Sequence, residues 1–131
     1  MEDIMIPLVQ CAIWIDCSKC NPELLTHEDK QFLSRIQKLK NGSFELSSDK
    51  CETWDTGETI ELFLDELPDD AISFLQKYAD SDFINSSLTV PIRFGSTSPS
   101  LYLSRKVLDK ISMLGLDIDF DIYSFCDIEE A

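Results

Sequence analysis

The strictest alternation of apolar and polar residues in this chain is Leu116-Asp-Ile-Asp-Phe-Asp-Ile-Tyr-Ser-Phe125. One set of alternate positions is apolar: Leu116, Ile118, Phe120 and Ile122. The other set consists of Asp117, Asp119, Asp121 and Tyr123. Successive side chains of a strand point to opposite faces of its sheet. The stretch therefore predicts a strand with one face in the core and a row of carboxylates on the other.

Other segments predict further strands. In Ile6–Asp16 one set of alternate positions is uniformly apolar and should face the core, namely Val9, Cys11, Ile13 and Ile15. Ser87–Phe94 also alternates, but Pro91 has no amide proton to donate, which favours an edge or bulged position for this strand. Ser43–Leu46 is a candidate short strand.

Helices are predicted by capping residues and apolar spacing. The first begins after Thr26, where Asp29 would complete a capping box, and ends at Asn41-Gly42. A second covers Asp69–Ala79 after Pro68. A third follows Ser104 and ends at Gly115, with Val107, Leu108, Ile111 and Leu114 pointing inward. Glu58–Leu67 fits a strand or a helix equally well.

The order of these elements lacks a regular βαβ alternation, which favours an α+β fold. We expect a mostly antiparallel sheet with about three helices packed on one face. At 131 residues the chain should form a single domain, 1–131, with enough length to fold on its core alone.

Charge is the main functional signal in the composition. The chain has 25 acidic against 11 basic residues, a net charge of −14, and ten of the acidic residues lie between Glu52 and Asp82. Such a surface repels nucleic acid and anionic membranes and attracts basic proteins. The predicted partner-binding residues are Asp65, Glu66, Asp69, Asp70, Asp80, Asp82, Asp117, Asp119 and Asp121, with Tyr123 and Trp54 as aromatic anchors.

The aspartate row at 117, 119 and 121 allows three interpretations. It could be a solvated sheet face, a divalent cation site or a docking surface for Lys and Arg of a partner. Three carboxylates in line on one strand, about 7 Å apart, do not converge on an ion as metal ligands do. A row of like charges costs stability unless it is neutralised, so the basic partner is the better functional interpretation.

The remaining reactive residues favour a protein without catalysis. Cys17-x-x-Cys20 could be half of a zinc site with His27 and Cys51, or a redox pair, but plain loop cysteines fit better. His27 is the only histidine and lies at a helix start. No nucleophile elbow, phosphate-binding loop or HExxH motif occurs. We therefore expect no metal, no cofactor and no enzymatic activity.

The chain begins without a basic region followed by an apolar run, so no signal peptide is expected. No uncharged apolar stretch approaches the roughly 18–20 residues of a membrane span. The odd set of five cysteines, including Cys126, then suggests reduced thiols in the cytoplasm.

A family resemblance covers the second half of the chain. Its motifs are Leu88-Thr-Val-Pro-Ile-Arg-Phe94, Leu101-Tyr-Leu-Ser104, the helix Val107–Leu114, and Gly115-Leu-Asp-Ile-Asp-Phe-Asp-Ile-Tyr123. This pattern resembles the bacterial family known as domain of unknown function forty-two seventy-nine. The resemblance implies a small α+β bacterial cytosolic protein without established catalysis.

By size, acidity and compactness the chain is also similar to bacterial immunity proteins, which are encoded beside secreted toxins. The leading functional hypothesis is an immunity protein that blocks a basic toxin domain, with a nuclease as the expected target. The alternatives are an uncharacterised binding or regulatory module of the unknown-function family, and an acidic inhibitor that mimics nucleic acid.

Overall fold

The computed structural model describes residues 5–124, within which seven strands and four α-helices occur. The strands are β1 (Leu8–Val9), β2 (Ala12–Asp16), β3 (Gln37–Lys38), β4 (Ser43–Ser47), β5 (Cys51–Glu52), β6 (Asn85–Phe94) and β7 (Asp117–Ser124). The helices are α1 (His27–Arg35), α2 (Thr56–Asp65), α3 (Asp69–Lys77) and α4 (Arg105–Met113). Short 3-10 turns cover Pro22–Leu24 and Lys40–Gly42.

The strands form one sheet in which β6 is central. One edge of β6 pairs antiparallel with β2 and β1, and the other pairs parallel with β7. Beyond β2 lie β4 and β3, and β5 pairs with β1. The α+β class and the mostly antiparallel sheet are confirmed, with four α-helices where three were expected. No helix within residues 5–124 is long and apolar enough to cross a membrane.

Pro91 lies in the middle of the sheet, so the edge or bulge predicted for β6 is wrong. The pairs Val9–Ile92 and Ala12–Thr89 keep one register across the gap between β1 and β2. The two are therefore halves of the predicted strand Ile6–Asp16. Gln10 N donates to Pro91 O over 3.1 Å, but proline has no N–H to return the bond. The N–H and C=O of one strand residue point to the same neighbouring strand. The missing N–H of Pro91 therefore removes one hydrogen bond to Gln10, and the hydrogen bonds between β6 and β7 are unaffected.

Helix α1 is shorter than predicted. The capping box at its start is confirmed, since Asp29 N donates to Thr26 Oγ1 and Thr26 N donates to Asp29 Oδ2. The helix ends at Arg35, however, and the chain continues as strand β3. Asn41 and Gly42 do adopt positive φ, 63° and 75°, but they form the turn of the β3–β4 hairpin. Asn-Gly is a strong hairpin signal, and here strand pairing prevails over helix continuation.

The ambiguous segment Glu58–Leu67 forms helix α2 and a short extension. Asp55 caps it by accepting from Glu58 N over 3.1 Å. Ile60 and Leu64 face the core, whereas Leu62 is 54% exposed, which matches the helical period and not the alternating one.

The core lies between one face of the sheet and all four helices. Buried residues of β2, β6 and every helix belong to a single cluster. The inward parity predicted for the first strand, Val9, Cys11, Ile13 and Ile15, is confirmed. On α4, Val107, Ile111 and Leu114 are buried as predicted, but Leu108 is 47% exposed and does not belong to the inward face.

Gly115 ends α4 as predicted and allows close packing against α3. Its φ is 66°, and a Cβ there would lie 2.5 Å from Ala79 Cα. Only glycine combines this conformation with so close a backbone neighbour. The polypeptide therefore turns from α4 into β7 at a position where no side chain fits.

Gly115→Ala should lower the free energy of unfolding by roughly 3 kcal/mol or more, the sum of a strained backbone and overpacking. Gly42→Ala is the matched control. Gly42 also has a positive φ, but the nearest atom to an added Cβ, Ser18 Cα, would be 3.3 Å away, a much milder contact. Gly42→Ala should cost about 1 kcal/mol. Urea denaturation of both variants measures the difference, and equal costs would show that the contact with Ala79 is unimportant.

Candidate functional site

The sheet has a second face that no described helix covers. We call it the open face and define it by Trp14, Glu45, Thr89, Arg93, Asp117, Asp119, Asp121 and Tyr123. Strand register places these side chains together. Trp14 is opposite both Glu45 and Ser87, and Ser87 is opposite Asp117. Cross-strand partners share a face, so one row runs from Glu45 across the sheet to Asp117.

The aspartates at 117, 119 and 121 line the open face along β7. All three are exposed, while Ile118 and Phe120 pack against the core, as the alternation predicted. Ile122 was also expected to face inward and is 51% exposed. The predicted strand end Phe125 lies outside the described residues.

The aspartate row has no cation directly opposite it on the neighbouring strand β6. Its neighbours on β6 are Ser87, Thr89 and Pro91, all uncharged. None of the ion pairs formed within residues 5–124 involves these three aspartates. The row therefore remains a line of like charges at spacings of about 7 Å.

The only cation on β6 stands at the end of this row. Arg93 is opposite Tyr123, with its guanidinium carbon 6.0 Å from the centre of the tyrosine ring. Arg93, Tyr123, Asp121 and Lys50 border a hollow of about 160 Å³. The open face is thus acidic along most of β7 and mixed in charge at this end.

The other predicted acidic residues lie on the helix side of the molecule. Asp65 is bonded to Lys110, and Asp70 forms an ion pair with Arg35 over 2.6 Å. Glu66 follows α2, Asp69 begins α3, and Asp80 and Asp82 follow α3. Because the helices and the open face are on opposite sides of the sheet, the structure does not bring the predicted residues into one site.

Trp14 and Glu45 belong to the open face and were missed as site residues. Trp14 is 48% exposed and belongs to the alternate positions of the first predicted strand that point away from the core. The alternation in the sequence could have predicted that Trp14 faces outward. Which residues lie beside it depends on strand pairing, which the sequence does not show. The predicted anchor Trp54 lies instead in the loop before α2, where its carbonyl accepts from Ser100 N over 2.8 Å.

A buried carboxylate joins two helices on the helix side of the sheet. Asp29 Oδ2 accepts from Tyr78 Oη over 2.5 Å and from Lys77 Nζ over 2.9 Å. Burial alone would raise the pKa of Asp29, but the bonds from Tyr78, Lys77 and Thr26 outweigh it, and the pKa lies below its ordinary value. The pair with Asp29 also raises the pKa of Lys77. Asp29 is therefore a structural anion that ties α1 to α3.

The described cysteines do not assemble a metal centre. Within residues 5–124 no group of three or more His, Cys, Asp or Glu side chains is placed to hold an ion. Cys51 lies beside Cys11 at the far end of the sheet from the Cys17–Cys20 loop. Burial, with the neighbouring Cys51, raises the pKa of Cys11 to about 12. Cys126 lies outside the described residues.

Comparison with known proteins assigns the chain to a family. Residues 16–125 match the family described as Domain of unknown function (DUF4279). The chain belongs to this family. The match confirms the resemblance seen over Leu88–Tyr123 and extends it through most of the first half of this DUF4279 protein. No curated protein and no solved structure matches the chain significantly.

A pair of neighbouring substitutions tests the register of β7. Phe120→Ala removes a half-buried ring and should lower the free energy of unfolding by about 2 kcal/mol. Asp119→Asn should leave that energy unchanged or slightly higher, since it weakens repulsion along the row. Chemical denaturation at neutral pH compares the two. A larger cost for Asp119→Asn would mean that the strand is shifted by one residue.

The lowered pKa of Asp29 makes a pH-dependent contribution to stability. A carboxylate with a depressed folded pKa stabilises above its unfolded pKa, about 4, and this contribution is lost as pH falls through the folded pKa. Asp29→Asn should therefore be less stable than wild type at neutral pH. The difference should shrink as the pH is lowered below about 4. Urea denaturation of both proteins between neutral and acidic pH checks this, and a constant difference would contradict it.

Proposed function

We propose that this DUF4279 protein is an immunity-type inhibitor that binds a basic protein through the open face of its sheet. The cognate partner in this proposal is a bacterial toxin domain, with a nuclease as the best fit. One observation carries the proposal: Asp117, Asp119 and Asp121 are exposed in a row, without an ion pair inside the described chain.

The chemistry of a nuclease suits such a row. A nuclease holds phosphates with Lys and Arg, which makes its substrate-binding surface basic. An acidic protein that covers this surface excludes the nucleic acid and relieves its own like-charge repulsion. Opposite charges also steer the two proteins together and raise association rates by roughly 10–10³.

Aromatic side chains on the same face would supply contact area. Trp14 and Tyr123 are both 48% exposed, at different positions along the open face. Binding energy in interfaces concentrates on such residues, whereas rim charges chiefly affect the rate of encounter. In this proposal the aspartates attract and orient the partner, and the two aromatic residues hold it.

The distribution of cations argues against nucleic-acid mimicry. A mimic needs carboxylates over most of its surface, but the helix side carries Arg35, Lys106 and Lys110 in ion pairs with acidic residues. Cations are therefore interspersed with carboxylates on that side, although Glu66, Asp69, Asp80 and Asp82 form no ion pair there with a residue that the structure describes. The open face differs because its three aspartates form one regular row between exposed aromatic side chains, which supports it as the docking surface.

Charge reversal on each side of the molecule tests which face docks. The variant D117K/D119K/D121K should lose capture of the basic partner from a lysate of the native host and should no longer inhibit its nuclease activity. The variant E66K/D80K/D82K changes the net charge equally on the helix side and should keep both properties. Circular dichroism verifies that each variant is folded.

Salt dependence tests the electrostatic part of the proposal. Raising salt several-fold above physiological strength, where the Debye length is about 8 Å, should slow association markedly and change dissociation less. Stopped-flow measurement with the captured partner gives both rates. A neutral or acidic partner, or a complex indifferent to salt and to the open-face reversal, would refute the immunity-type function.

A further inference from the structure

A second site, unrelated to the open face, lies where the loop after β2 meets α1 and the β3–β4 hairpin. A cavity of about 500 Å³ opens there. Its apolar lining includes Leu25, Leu33, Ile36 and Phe44. Small-molecule sites in proteins have volumes of about 300–1,000 Å³ and are lined mainly by apolar side chains. The cavity has the size and surface of a ligand site.

The charged side chains that line this cavity are opposite in sign to the net charge of the protein. The two charged side chains that line it are Lys30 from α1 and Lys38 from β3. Neither takes part in an ion pair with any residue that the structure describes. In a chain of net charge −14, two unpaired ammonium groups at the rim of one apolar cavity form a local site for an anion.

Two thiols line the cavity, and Cys17 contributes apolar surface to it and not chemistry. Cys17 and Cys20 both line it. Burial, followed by the nearby Cys20 and the carboxylates of Asp16 and Asp29, raises the pKa of Cys17 to about 11. At neutral pH this thiol is protonated, a poor nucleophile and a poor metal ligand. Cys17 thus serves as cavity wall, in the manner of a small hydrophobic residue.

We propose that this cavity binds a small amphipathic carboxylate, whose apolar body packs against Leu33, Ile36 and Phe44. Its carboxylate meets Lys30 and Lys38 at the rim. The lysines act as charge-assisted hydrogen-bond donors, and burial of the apolar body supplies most of the affinity. The protein as a whole repels anions, so a preference for the charged head group must come from these two residues.

Three probes of equal chain length test the head group. Decanoate, decanol and decyltrimethylammonium are titrated into the protein below their aggregation concentrations, with binding followed by calorimetry and by amide shifts in a ¹H–¹⁵N spectrum. Decanoate should bind most tightly and shift residues of the Cys17–Leu25 loop and α1. No binding of decanoate, equal binding of all three probes, or shifts spread over the whole protein would overturn the proposal.

Lysine variants locate the charge preference. Lys30→Met and Lys38→Met keep an apolar stem and should each weaken decanoate binding by roughly two- to fivefold, as exposed ion pairs do, with little effect on decanol. Lys50→Met is the control, because it removes the same charge outside the cavity. Ser34→Phe should fill the cavity and abolish binding of both probes while the melting temperature is kept. Equal effects of all three lysine variants would mean that only net charge matters.

Discussion

The central strand β6 is the constraint on which the rest of the structure depends. It pairs with β1 and β2 on one edge and with β7 on the other, so its register decides which side chains of three strands meet. Val90 and Ile92 are fully buried on one of its faces. A slip of β7 by one residue would bring aspartates against these two side chains. Burying an unpaired carboxylate costs more free energy than the pairing of the shifted strand would return. The pairing that builds the core therefore also holds the aspartate row outward.

Period-two patterns were predicted well because burial enforces them. The inward parity of Ile6–Asp16 and the outward aspartates followed from alternation alone, and the structure agrees. Helix ends were predicted less well, because neighbours decide them. Ile36 and Leu39 fit the spacing of α1, yet the hairpin turn at Asn41-Gly42 gives that segment a strand partner. The edge position predicted from Pro91 was wrong for a related reason. The sequence shows that one hydrogen-bond donor is missing, but it does not show how many hydrogen bonds the rest of β6 makes with its neighbours.

The candidate site was only partly accessible from sequence. Clustered acidic residues are visible in a linear chain, but the side of the molecule on which each cluster lies depends on packing. Asp65 and Asp70 resemble Asp119 in type, yet they bond to Lys110 and Arg35 among the helices. The association of Trp14 with the aspartate row requires two strand pairings, from β2 to β6 and from β6 to β7. A single sequence does not specify these pairings.

The basic residues that form ion pairs on the helix side distinguish its acidic residues from those of the open face. Exposed ion pairs add little to stability, so those on the helix side are not needed to hold the helices on the sheet. The basic residues there pair with Glu61, Asp65 and Asp70, while Glu66, Asp69, Asp80 and Asp82 keep the helix side acidic as well. A basic protein would therefore be attracted to both sides of the molecule. The open face differs in its short-range features, a regular aspartate row with the exposed rings of Trp14 and Tyr123 on the same face. Such contacts, and not the long-range field, would decide the orientation in which a basic partner docks.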